Sequence, residues 1–142
     1  MRAMPADDSP LAEAAARVGD RWSLLVVEAL LAGPQRFNDV LEAVSGIAPN
    51  ILSQRLKALE REGVLTSHPY SSRPPRFVYE LTAEGRDLAG ALHLLAAWGA
   101  RRAGMIETVR HAACGTPLEH RLYCPTCART VDDPEDSGLR FA

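Results

Sequence analysis

The chain has 142 residues, 46% of them hydrophobic, and a formal net charge of −2. That suits one domain with a real core and a small appendage, and the lack of a basic excess makes any nucleic-acid reading depend on where charge sits rather than on its sum. No run of 18 apolar residues occurs and the start, MRAMPADDSP, has no apolar signal core, so the expected compartment is cytoplasmic.

Residues 1–8 read as a loose tail. Pro10 opens a short helix, LAEAAARVG, that ends at Gly19. RWSLLVVEALLAG follows as a second helix, stopped by Gly33-Pro34 and apolar on most sides, which predicts a buried central position. Its one acid, Glu28, fits an edge site or an arginine pair better than an active carboxylate. In RFNDVLEAVSG, Phe37, Val40, Leu41 and Val44 recur at helical spacing and Gly46 ends the run. After the break SGIA, Pro49 sits at the first turn of a fourth helix that reaches about Glu62, with Gly63 as its left-handed stop and Ala48 as a weak N-cap.

VLTSH reads as a strand, PYSSRPP as a turn and RFVYELT as a second strand, giving a hairpin with a proline-rich, basic tip. Thr82 then caps a long helix, with Glu84 in its first turn. Leu88, Leu92, Leu95, Trp98 or Gly99, and Ile106 run along it for about 24 residues, roughly 36 Å. DDPEDSG, at 132–138, is an acidic, flexible tail. Three helices followed at once by a hairpin is the order of a winged helix-turn-helix. The expected class is therefore mainly α with a small β-hairpin wing (α+β). The expected organisation is a tail over 1–8, the winged domain over 9–108, a Cys/His subdomain over 109–131 and a second tail over 132–142.

On a wheel at 100° per residue, Leu52, Leu56 and Leu59 share one side of the fourth helix, with Ile51 at its edge. Asn50, Gln54, Lys57 and Arg61 take the opposite side, with Ser53 beside them. Asparagine and glutamine pair bidentately with adenine, and lysine and arginine take guanine or phosphate, so this face suits the DNA major groove. Asn50, Ser53 and Gln54 are candidates for base contacts, and Lys57 for a base or a phosphate, because the N-terminal part of such a helix reaches the base edges. Arg55 lies nearer the packed flank, where it reaches either a phosphate or an acid at the core margin. Most exposed helical faces are polar for solubility alone, and this helix in isolation favours that plainer explanation. The hairpin alters the balance: Arg73 and Arg76 bracket Pro74-Pro75 on a projecting loop, where arginine can clamp phosphate or enter the minor groove. Between residues 34 and 76, six basic side chains (Arg36, Arg55, Lys57, Arg61, Arg73, Arg76) face four acidic ones, a local excess in an acidic chain.

The stretches GDRWSLLVVEALLAGPQRFNDV, ILSQRLKALEREGVL and PPRFVYELTAEGRDL together resemble the HxlR-type transcriptional regulators, small bacterial winged-helix dimers related in architecture to the MarR group. The resemblance covers roughly residues 10–100. It implies a homodimeric regulator of double-stranded DNA without catalytic activity, with helix 49–62 in the major groove and wing 71–76 on the flank. One departure stands out. Many members carry a Cys-Pro pair before the first helix, and some sense oxidants through that thiol; here the pair is Ser9-Pro10, which forms no comparable thiolate. A two-fold dimer needs an interface. The long helix, with Leu88, Leu92, Leu95 and Trp98, is the candidate, assisted by Leu11, Ala15 and Val18 of the first helix; coverage of the protomer's own core is the alternative use of these residues.

RHAACGTPLEHRLYCPTC holds His111, Cys114, Cys124 and Cys127, two close pairs of the same internal spacing separated by a loop. Three thiolates and an imidazole suit zinc, and four protein ligands make a structural site of zinc-ribbon or knuckle type rather than a catalytic one. His120, inside the loop, is the alternative fourth ligand, and three buried cysteines without metal are the plainer possibility. An enzyme is disfavoured: there is no HExxH, P-loop or Gly-x-Ser-x-Gly, and His68 and His93 are isolated. The remaining rival is a winged helix that binds a partner protein.

Overall fold

A computed structural model describes residues 9–105 and 109–131. The expected terminal tails and Ile106 lie outside the described residues. The chain divides into two compact units, the first ending at Leu92 and the second starting at His93.

The first unit is a winged helix-turn-helix. Helix α1 spans Pro10–Val18 and α2 spans Arg21–Leu30; a short strand β1, Gln35–Arg36, leads into α3, Phe37–Ala43; α4 spans Pro49–Arg61; the wing is β2, Leu65–Ser72, and β3, Pro75–Leu81. Local chemistry sets the boundaries. The Ser9 hydroxyl accepts the Ala12 amide at 3.0 Å ahead of Pro10, and Asp20 accepts the Trp22 and Ser23 amides, each at 3.1 Å, at the start of α2. Gly63, at φ +73°, closes α4: its amide donates to Glu60 at 3.1 Å and that of Val64 to Leu59 at 3.0 Å, the paired bonds of a Schellman stop.

The core is one cluster. Val26, Val27 and Leu30 of α2, Val40 of α3 and Leu52, Leu56 and Leu59 of α4 are buried together with Val18, Val44, Ile47, Val64, Leu65 and Leu81. The second helix is central, as its composition predicts.

The sheet departs from the sequence reading in two ways. It has three strands in the order β1-β3-β2, because Gln35 and Arg36 pair antiparallel with Tyr79 and Val78. A two-residue strand carries no alternation to read. The wing strands also extend through the proline-rich stretch read as a turn, leaving only Arg73 and Pro74 at the tip. Pro69 is tolerated within β2 because β2 is an edge strand, and the register shifts between Pro69 and Ser71.

The long C-terminal helix is two pieces, α5 (Ala83–Asp87) and α6 (Ala89–Ala103), with Leu88 between them. The Leu88 amide turns tightly to the Gly85 carbonyl at 3.3 Å, and the helical ladder resumes from Leu92 to Leu88 at 3.0 Å. Gly85 and Gly90 flank the interruption, and glycine is the weakest helix former after proline. Gly85 is required where it stands: a Cβ there would meet the Val64 carbonyl oxygen at 2.1 Å. Gly104, at φ +67°, ends α6 just after Ala103.

In the second unit, residues 109–131 form a turn closed by an Arg110–Pro117 bridge and a small hairpin, β4 (Leu122–Cys124) with β5 (Arg129–Val131). These strands, too, are too short to be read from alternation. Among the described residues, no helix is long and apolar enough to cross a membrane.

Candidate nucleic-acid interface

Helix α4 sorts its side chains as the wheel predicts. Leu52, Leu56 and Leu59 are buried, while Asn50, Gln54, Lys57 and Arg61 are exposed and Ser53 is half-buried beside them. A shallow hollow runs over Ala58 between Gln54, Lys57 and Arg61. The acids of this helix are turned to structural tasks. The Glu60 carboxylate accepts the Ser67 amide at 3.2 Å and its hydroxyl at 2.7 Å, which fastens α4 to β2. Glu62 accepts from Arg17 at 2.6 Å, and Arg17 also holds Glu13, so the acidic end of α4 is tied back to α1. Ala48 supplies no side-chain acceptor to the first-turn amides of α4.

Of the two uses open to Arg55, the structure takes the acid. Its Nη1 donates to Asp20 Oδ2 at 3.4 Å, and its Nε is buried without a partner among the described residues. Arg55 thus links α4 to the start of α2 while still bordering the hollow beside Gln54 and Lys57. Burial pushes the Asp20 carboxyl up, but hydrogen bonds from Ser23, the Arg55 charge and the Trp22 amide outweigh it and hold the group below its ordinary value.

Arg73 and Arg76 are exposed on the wing, at the tip and at the second residue of β3. Arg76 also borders a cleft of about 370 Å³ between the wing and the start of α3, walled by Phe37, Tyr70, Phe77 and Tyr79 and by Arg36 and Asn38. The Arg36 guanidinium lies 5.0 Å over the Tyr70 ring. In the sequence Arg36 stands only as local charge; its place beside the wing follows from the β1–β3 pairing. Burial and the nearby Glu60 charge raise the Tyr79 hydroxyl above its ordinary value.

This arrangement, an open polar face on a leucine-anchored helix beside a basic wing, agrees with what comparison with known proteins finds. The HxlR-like helix-turn-helix profile matches residues 17–107. The chain belongs to the HxlR-like helix-turn-helix family. The HTH-type transcriptional regulator Rv3095 of Mycobacterium tuberculosis is 37% identical over 118 residues, spanning 80% of this chain and 74% of that protein. The solved structure of the HTH-type regulator YtcD has a TM-score of 0.62 at 31% identity, covering 68% of this chain and 98% of that one. A transcription factor from Pseudomonas aeruginosa, PA1374, has a TM-score of 0.69 at 33% identity over 94% of this chain and 92% of its own. As a member of the HxlR-like family, this chain is a DNA-binding, HTH-type transcriptional regulator and not an enzyme.

The candidate interface residues of this HxlR-like chain fall into two groups. Val18 is 8% exposed and belongs to the protomer's own core. Leu88 and Leu92 are half-buried against the same core. Leu11 (77% exposed), Ala15, Leu95 (51%) and Trp98 (57%) remain outside it. Leu94 is exposed as well, and no residue of α6 is buried.

The Cys/His residues form two pairs rather than one set. His111 Nδ1 lies 3.3 Å from Cys114 Sγ, and Cys114 Sγ lies 3.2 Å from Thr116 Oγ1. Cys124 and Cys127 interact across the β4–β5 turn. Hydrogen bonds from Thr116 and His111 hold the Cys114 thiol below its ordinary value; amides of Cys127 and Thr126, with the Cys127 side chain, do the same for Cys124. No disulfide joins the three cysteines. The expected closed set of four ligands is not assembled: among the described residues, no three His, Cys, Asp or Glu side chains stand together as a metal site. Each turn is closed by its own backbone pairing, Arg110 with Pro117 and β4 with β5, so nothing local forces the two together. His120 is exposed in the loop between them.

Proposed function

We propose that the protein acts as a homodimer that reads a palindromic operator in double-stranded DNA, each protomer placing α4 in the major groove and residues 71–76 of the wing on the flank. Asn50, Ser53 and Gln54 contact base edges, Lys57 a base or phosphate, and Arg61, Arg73 and Arg76 phosphates. The observation that carries this reading is the open face of α4. Leu52, Leu56 and Leu59 anchor the helix, while Asn50, Gln54, Lys57 and Arg61 meet nothing in their own protomer that buries them. The dimer is supported by α6, whose Leu94, Leu95 and Trp98 are exposed along a helix with no buried residue, an apolar surface that a second copy would cover.

Selection of bound duplexes from a random pool tests both parts. The expected result is an inverted repeat with half-sites about one helical turn apart. Enrichment of single, unpaired sites would reject the dimer, and no enrichment at all would reject sequence reading. The exposed Tyr70 and Phe77 at the wing cleft favour a second reading, a protein-binding wing. Salt separates the two, since phosphate contacts make DNA affinity fall steeply as salt rises.

A further inference from the structure

We propose that the second unit binds one zinc ion through His111, Cys114, Cys124 and Cys127, and that the ion draws together two turns that are each already shaped to hold half of it. The two turns are separated by a short loop and are built alike. Each spaces its two ligands by two residues, and in each the residue after the second ligand has a left-handed backbone, Gly115 at φ +71° and Ala128 at φ +51°. Ala128 is the one non-glycine with positive φ among the described residues. An alanine kept in that region is disfavoured sterically, and it persists where the surrounding turn over-determines it.

The first turn is tight. The Gly115 amide donates to the His111 carbonyl at 2.7 Å and the His111 amide to the Thr116 carbonyl at 2.9 Å. This places His111 Nδ1 3.3 Å from Cys114 Sγ. In a tetrahedral zinc site, a nitrogen and a sulfur ligand lie roughly 3.6 Å apart, given the usual metal–ligand lengths, so the pair needs almost no movement to share an ion. In the second turn, β4 pairs Cys124 with Arg129, which sets Cys124 and Cys127 at the closed end of a hairpin.

The segment also has little apolar burial to hold it. From 109 to 131, Cys124 and Val131 are half-buried and every other residue is exposed, so no apolar core fixes the strands. A short segment of this kind needs a staple, and a structural metal is one of the few available. Closing the two turns on one ion converts binding energy into folding energy, the thiols losing their protons to solvent as they ligate. Three sulfurs and one imidazole select zinc and leave no open position.

The test uses the full chain. Metal analysis of the purified protein should find one zinc per chain. Cobalt(II) added to the chelator-stripped protein should give tetrahedral d–d bands with thiolate charge transfer. Cys114→Ser, Cys124→Ser and His111→Ala should each remove that spectrum, while His111→Cys, which keeps four ligands, should retain a tetrahedral spectrum of altered shape. The thermal transition of the first unit, followed in the same variants, should be unchanged, which separates loss of a ligand from loss of the fold. No metal and no cobalt spectrum would overturn the proposal, as would a spectrum indifferent to Cys114→Ser or His111→Ala, since the ion would then sit on the second turn alone.

Discussion

Gln54 and Arg55 are neighbours on α4 with different surroundings: one is exposed on the open polar face proposed to read bases, the other is tied to Asp20. Gln54→Ala should therefore leave stability almost unchanged and relax base preference at one position of each half-site, by about 1–3 kcal/mol of discrimination. Binding-site selection with the variant checks this, and an unchanged preference rejects the assignment. Asp20→Ala removes a helix cap and the partner of Arg55 together; the cap alone accounts for about 1 kcal/mol, read as a lower melting temperature. The pH dependence has a definite sign. Because the folded state holds the Asp20 carboxyl below its ordinary value, its contribution is complete above the ordinary carboxylate range and is lost as pH falls through the lowered value. The stability gap between the native protein and Asp20→Asn should accordingly narrow in the acid limb of a pH titration. A gap independent of pH would show that the charge does nothing there.

At the level of elements, Gly85 and the wing carry the sharpest expectations. Gly85→Ala forces a Cβ against the Val64 carbonyl oxygen at 2.1 Å, a backbone atom that cannot swing aside. Overpacking of that kind costs about 1–3 kcal/mol, measurable by denaturant unfolding. Arg73→Ala should weaken binding to all duplexes alike and reduce the salt slope by about one, because a phosphate contact carries no base information. The elements differ in how legible they are from sequence. The first four helices follow from leucine and valine spacing and from Pro10, Gly19, Pro49 and Gly63, which act locally. Strand β1 does not, since two residues have no period and its existence depends on pairing with Tyr79 and Val78 some forty positions later. The break at Leu88 is hidden for a related reason: apolar spacing runs through it, while the close approach of Gly85 to Val64 beside it is set by distant chain.

For the whole molecule, the same division applies to the site. The α4 face is legible because one amphipathic helix contains all of it. The cleft joining Arg36 to Tyr70 and Phe77 is not, because four elements, β1, α3, β2 and β3, meet to form it. The dimer expectation belongs at this scale too. Leu95→Asp with Trp98→Asp places charge on the exposed stripe of α6 and should shift sedimentation from dimer to monomer, with operator affinity falling while the thermal transition holds. A variant that stays dimeric would move the interface elsewhere. Ala48 has one further consequence. A helix that begins without a side-chain oxygen at its entrance frays there, and its leading amides exchange with solvent readily. A phosphate seated at that entrance would supply the missing acceptor, so deuterium uptake over residues 50–53 should slow on operator binding more than it does in the middle of the same rod.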